Sequence, residues 1–249
     1  KTFTFAAGIN EGIIKTDTKF VNLEKKIKCG KYIIGEYDNE IPSDLTAEEI
    51  LIRSGNIGSV RIGQRLGIDR LRQFLSDIGV LNKIDFDLDE IGEPIPFKWG
   101  KCKLATTSFG HGITTTPLQL AKGYSIITNG GYDLNPTLIK SNEKKERKKI
   151  LSSKVSNSIN PILRKIVSTK EGTANFANIP GYDVGGKTGT AEKSSLGGYS
   201  KAKVNTFAAV FPTNKPKYVL VVLLDEPKPN EDYIYHYKDG SGIKYKGTP

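Results

Sequence analysis

The segment Gly185-Gly186-Lys187-Thr188-Gly189-Thr190 sets a lysine and two hydroxyls among three glycines, and it constrains the fold more than any other stretch of the chain. Glycine lets a backbone or a ligand approach closely and lysine supplies a positive charge, so the segment suits an anionic ligand. With Gly181 it also spells Gly-x-x-x-x-Gly-Lys-Thr, the phosphate-cradling loop of nucleotide-binding α/β folds. That loop requires an apolar strand before it and a helix after it, so that backbone amides and the helix N-terminus face the phosphate. Neither flank fits. Phe176-Ala177-Asn178-Ile179-Pro180 precedes Gly181, and Ala191 to Ser200 contains paired glycines and two adjacent serines. A P-loop NTPase is set aside on these grounds.

The rest of the chain reads as helices followed by strands. Phe3 to Ile14 is apolar nearly all round, the pattern of a helix enclosed in a core, with Gly12 weakening its end. Thr46 with Glu49 three residues on forms a capping box, which predicts a short helix over Ala47 to Arg53. Two more helices are predicted over Ile57 to Leu66 and Arg70 to Ile78, the second with Asp69 as its N-cap and Gly79 as its stop. Thr116-Pro117 starts a helix that runs to about Thr128, where Asn129-Gly130-Gly131 ends it. Asn160-Pro161 starts or kinks another that ends near Ser168. Val204 to Phe211 and Tyr218 to Leu224 are rich in β-formers and predict an antiparallel hairpin. The class is α+β, in one domain of two lobes.

Composition removes several functions. The net charge of +10 fits nucleic acid, an anionic surface or a carboxylate-rich cell wall equally, but the densest basic run, Lys144 to Lys149, lacks interleaved aromatics and reads as a solvated loop, so no nucleic-acid partner is expected. Cys29 and Cys102 stand apart with no Cys-x-x-Cys spacing, and His111 and His236 are the only histidines, so neither a metal site nor a cofactor is expected. Neither histidine has a nucleophile beside it, so an acyl transferase built on this chain must move protons by another group. His111, between Gly110 and Gly112, reads as part of a special loop packed near a site, and Trp99 as a packing anchor. The longest apolar run, Tyr218 to Leu224, is far short of the ~18 residues of a membrane span. With no methionine and a lysine in first place, the chain is expected to be a fragment.

Ser54-Gly55-Asn56 at a break between helices is by itself no more than a helix cap. Its value comes from order: Lys1 opening a buried helix, then Ser-x-Asn, then Lys-Thr-Gly about 130 residues later. The stretches Arg53-Ser54-Gly55-Asn56-Ile57-Gly58, Ser108-Phe109-Gly110-His111-Gly112-Ile113, Thr116-Pro117-Leu118-Gln119-Leu120 and Asn129-Gly130-Gly131 resemble class B penicillin-binding proteins. So do Glu171-Gly172-Thr173-Ala174, Pro180-Gly181-Tyr182 and Asp225-Glu226-Pro227, and the Phe109 to Leu120 pattern together with Asp225-Glu226-Pro227 resembles the division-type synthase in particular.

The resemblance implies a β-lactamase/transpeptidase-like fold, an antiparallel sheet flanked by helices with a helical lobe over roughly residues 40–130, truncated at both ends within 1–249. It implies a peptidoglycan D,D-transpeptidase of septal wall synthesis, acylated by β-lactams, whose nucleophilic serine lies three residues before Lys1 and outside this sequence, leaving the piece inactive. Lys1 would be the base, Ser54 a proton relay, Asn56 a substrate hydrogen-bonder and Lys187 the source of the field. Thr188, Gly189 and Thr190 would bind the carboxylate of a stem peptide ending in D-alanyl-D-alanine. Strand alternation places Lys187 and Thr188 on opposite faces, a conflict the sequence does not resolve. Implied partners are a glycosyltransferase and division proteins, and the implied place is the extracytoplasmic side of the bacterial inner membrane. A β-lactamase, a penicillin-sensing receptor and a non-enzymatic binding module remain open alternatives.

Overall fold

In the computed structural model, which describes residues 1–140, 146–195, 198–228, 234–236 and 242–244, helix α1 (Thr2–Asn10) is the axis of the helical core. Apolar on every side, it buries Phe5, Ala6, Ala7 and Ile9. Around it pack α2 (Ala47–Ile52), α3 (Asn56–Leu66), α4 (Ile68–Asp77), α6 (Pro117–Thr128) and α7 (Ser153–Ser168). Its two buried hydroxyls are both satisfied: Thr2 Oγ1 meets the Tyr124 hydroxyl at 3.0 Å, and Thr4 Oγ1 donates to the Ser108 carbonyl at 2.8 Å. Ser108 closes α5 (Lys101–Ser108), which lies against α3. The contact needs Gly63, where a Cβ would fall 1.8 Å from Ser108 Oγ.

The predicted first helix ran to Ile14, but α1 stops at Asn10. Gly12 takes φ +67°, and the Ile13 and Ile14 amides both donate to the Gly8 carbonyl, which turns Ile14 back against Gly8. Both predicted capping boxes form, Thr46 with Glu49 and Thr116 with Gln119. Asp69 is not a cap: α4 begins at Ile68, and Gly67, at φ +80°, is both the C-cap of α3 and the N-cap of α4. Asp69 lies in the first turn instead, where its charge still suits the helix dipole. Helix α7 starts at Ser153, with Ser152 Oγ as its cap, and Pro161 lies inside it. An interior proline costs about 3 kcal/mol. Val155, Ile159, Ile162, Leu163, Ile166 and Val167 bury one continuous face on both sides of Pro161, and that burial carries the helix through.

Short antiparallel pairs edge the helices: β1 (Lys19–Phe20) with β4 (Leu45–Thr46), and β2 (Lys26–Cys29) with β3 (Tyr32–Gly35). The second pair is a hairpin with a two-residue loop whose first residue, Gly30, has φ +60°. Cys29 on this hairpin is disulfide-bonded to Cys102 on α5, with their Cα atoms 5.5 Å apart. The main sheet has the order β5 (Gly185–Ser195), β6 (Gly198–Phe211), β7 (Tyr218–Asp225), and the predicted hairpin lies within β6 and β7. Of the basic run, Lys144 and Lys145 lie outside the described residues, while Lys149 bridges to Tyr132 and donates to Ser153 Oγ.

The chain divides into two units, Lys1–Lys187 with Ala208–Val221, and Thr188–Phe207 with Val222–Pro249. The first holds all seven α-helices named here and the disulfide. The second holds the remaining lengths of β5, β6 and β7 and the pair β8 (Ile234–His236) and β9 (Gly242–Lys244), with Lys193 ion-paired to Asp225 and Glu226.

Candidate active site

Ser54 sits at the end of α2 in a conformation that usually belongs to glycine, with φ +59°. The Ser54 amide donates to the Leu51 carbonyl and the Gly55 amide to the Ile50 carbonyl, the paired bonds that close a helix through a left-handed residue. A serine there costs about 1 kcal/mol or more relative to glycine. Its side chain is buried, so the strained residue is enclosed by the structure around it.

The chain then enters α3 at Asn56 with Gly55 as N-cap, which has no side chain to bond the first amides. Glu36, just past the β2–β3 hairpin, does so from outside: its Oε2 accepts the Asn56 amide at 2.6 Å and its Oε1 the Ile57 amide at 2.9 Å. Asn56 Nδ2 donates to the Gly35 carbonyl at 2.8 Å, which fixes the orientation of the side-chain amide.

Lys1 is the N-cap of α1, and its Nζ lies 5.9 Å from the centroid of the Phe109 ring. Phe109 stacks on His111, and the flanking Gly110 and Gly112 take φ +88° and +71°. This is the special loop expected of the Gly-His-Gly sequence. Burial lowers the Lys1 amine to about 8, partly offset by the negative charge of Glu36.

Lys187 is buried near the start of β5, where its Nζ donates to Thr173 Oγ1 at 3.4 Å. Two glycines bring these residues into place. A Cβ on Gly185 would fall 2.8 Å from the Arg164 backbone nitrogen, and one on Gly172 would fall 2.1 Å from the Ile166 carbonyl oxygen. The strand and the loop carrying Thr173 therefore both press on α7. Burial pushes the Lys187 amine well below its ordinary range, and the charge of Lys1 pushes it further. Lys1 thus acts on Lys187 from nearly the other end of the sequence.

Within the first unit, Glu36 is common to Lys1 and Asn56, and Lys1 acts on Lys187, while Ser54 stands two residues before Asn56 at the same turn. Thr188, Gly189 and Thr190 continue β5 into the second unit, half-buried at Thr188 and exposed at the other two. Because residues 185–195 form a strand, the phosphate-loop reading fails: no helix follows Thr188 to aim amides at a phosphate. Residues 1–241 match the penicillin binding protein transpeptidase domain. The chain belongs to that family.

Its relatives in the family include a probable peptidoglycan D,D-transpeptidase FtsI of Caulobacter vibrioides, 34% identical over 92% of this chain and 41% of that protein. Stage V sporulation protein D of Bacillus subtilis is 34% identical over 72% of this chain and 30% of its own length. The chain thus spans less than half the length of these relatives. Among solved structures, the transpeptidase domain of Burkholderia pseudomallei penicillin-binding protein 3 superposes with a TM-score of 0.84 at 24% identity, covering 91% of this chain and 69% of that one. Mycobacterium tuberculosis penicillin-binding protein 3, in complex with aztreonam, gives 0.81 at 23% identity over 91% of this chain and 55% of its own. These likenesses establish the β-lactamase/transpeptidase-like fold.

Sequence reasoning missed Glu36, the Phe109 ring under Lys1 and the disulfide. Only Phe109 carried a signal, as a member of the Phe-Gly-His-Gly stretch.

Proposed function

We propose that the protein to which this chain belongs is a peptidoglycan D,D-transpeptidase that cross-links stem peptides through a serine acyl-enzyme during septal wall synthesis. The observation that carries the reading is the pair of buried amines, Lys1 and Lys187, both displaced from their ordinary range within the unit that also holds a strained Ser54 and an oriented Asn56. A lysine lowered toward neutrality is fit to accept a hydroxyl proton, which serine needs to become a nucleophile.

In this reading a serine three positions before Lys1 attacks the penultimate carbonyl of a D-alanyl-D-alanine terminus. Lys1 takes its proton, and Ser54 passes a proton to the leaving D-alanine. Asn56, whose Nδ2 is held by Gly35, offers its carbonyl oxygen to a substrate amide. Thr188, Gly189 and Thr190 hold the terminal carboxylate, as the family resemblance assigns them. That carboxylate favours the charged form of Lys187, so the field strengthens when the substrate arrives. An amine of a neighbouring strand then accepts the acyl group. A glycosyltransferase and division-complex proteins are the proposed partners. The proposed setting is the extracytoplasmic side of the bacterial inner membrane, and the Cys29–Cys102 disulfide supports its extracytoplasmic part, because such bonds persist in oxidising compartments.

The test uses the protein with its native residues upstream of Lys1, a stem peptide ending in D-alanyl-D-alanine, and an acceptor amine. D-Alanine release coupled to peptide transfer is the expected result. Rapid catalytic hydrolysis of penicillin without transfer would instead make it a β-lactamase.

A further inference from the structure

Three consecutive residues, Gly35, Glu36 and Tyr37, bind both flanks of Ser54. Tyr37 donates its hydroxyl to the Arg53 carbonyl at 2.8 Å, one residue before Ser54. Glu36 accepts the Asn56 and Ile57 amides, and Gly35 accepts the Asn56 side chain. The strained Ser54-Gly55-Asn56 turn is thus clamped from the hairpin, on groups outside its own helices. A carboxylate on two amides at a helix start is a charge-assisted pair of bonds, stronger than the neutral cap that Gly55 lacks.

We propose that Glu36 is a positioning residue for the acyl-transfer reaction: its carboxylate, bonded to the Asn56 and Ile57 amides, holds the Ser54-Gly55-Asn56 turn for the chemistry rather than serving as a helix cap alone. The inference rests on the transpeptidase reading above. A helix cap alone needs no view of the catalytic amine, yet Glu36 acts electrostatically on Lys1. Among the described residues, the charged or titratable groups around that amine are Glu36 and Lys187, with His111 stacked on the Phe109 ring beside it.

The experiment measures the rate of penicillin acylation against pH for the upstream-extended protein and its Glu36→Gln and Glu36→Asp variants, with thermal unfolding as a check on folding. Glutamine cannot accept both amides and carries no charge. Its plateau rate is expected to fall about 10- to 100-fold from misplacement of the turn. Its acid limb is expected to move to lower pH, because the carboxylate that favours protonated Lys1 is gone. Aspartate keeps the charge with a shorter reach, so its plateau falls while its acid limb stays near that of the wild type. A Gln variant with the wild-type plateau, or with a lowered plateau and an unmoved limb, overturns the proposal, the second result because it describes a cap alone. If the Gln variant does not fold, an Asp variant with the wild-type rate overturns it and a slowed one supports it. Failure of the wild type to be acylated counts against the transpeptidase reading rather than against Glu36.

Discussion

Replacing Lys187 with methionine is expected to slow acylation by penicillin about 100- to 1,000-fold, the usual effect of removing one preorganised electrostatic group, while leaving the protein at least as stable as before. The two effects diverge because Lys187 is costly where it sits. It is buried, and both desolvation and the Lys1 charge disfavour its protonated form. Methionine has nearly the same length and no charge, and apolar replacement of buried charges is often neutral or stabilising by about 1–4 kcal/mol. The pH dependence has a definite sign. The unfolded lysine keeps its proton up to its ordinary value of 10.5, whereas the folded one loses it earlier. The unfolded state therefore binds more protons in that interval, and wild-type stability rises with pH through it. The variant should lose part of that rise. Thermal unfolding between neutral and alkaline pH, with labelling by fluorescent penicillin, measures both effects. A stable variant that labels at the wild-type rate would remove Lys187 from the mechanism.

The second large effect is expected from replacing both Cys29 and Cys102 with serine. Their bond joins residues 73 apart in sequence, and for a loop of that size the chain-entropy estimate is roughly 4 kcal/mol, with about 2–4 kcal/mol typically realised. For a chain of this length that corresponds to a fall of about 5–15 °C in the unfolding midpoint. The bond also ties the hairpin leading to Gly35, Glu36 and Tyr37 to α5, whose end leads to Phe109. Acylation at a temperature where the variant remains folded should therefore drop as well. An unfolding midpoint equal to that of the wild type, under non-reducing conditions, would show that the hairpin is held by its other contacts.

Both effects trace to features of very different visibility in the sequence. The capping boxes at Thr46 and Thr116 were legible because donor and acceptor lie three residues apart. Lys187 was legible because its glycine neighbours mark a crowded backbone. Glu36 was not, because it caps α3 from 20 residues away and nothing in the local pattern distinguishes it from a surface carboxylate. The disulfide was hidden for the same reason: two isolated cysteines carry no pairing information until the hairpin and α5 are brought together. Gly67 and Pro161 misled the boundary reading in opposite directions. At Gly67 a glycine capped a helix where the adjacent aspartate looked the better candidate. At Pro161 buried surface on both sides outweighed a local break. The Ser54 turn was visible as a helix junction, but the left-handed conformation of its serine is a property of the backbone that the local sequence does not announce.

Mapping the covalent penicillin adduct by mass spectrometry, on protein extended with its native residues before Lys1, tests the central claim most directly. The account predicts a single, slowly hydrolysed adduct on a serine three residues upstream of Lys1. An adduct on Ser54 or any other residue of this chain, or none on the folded protein, would contradict it.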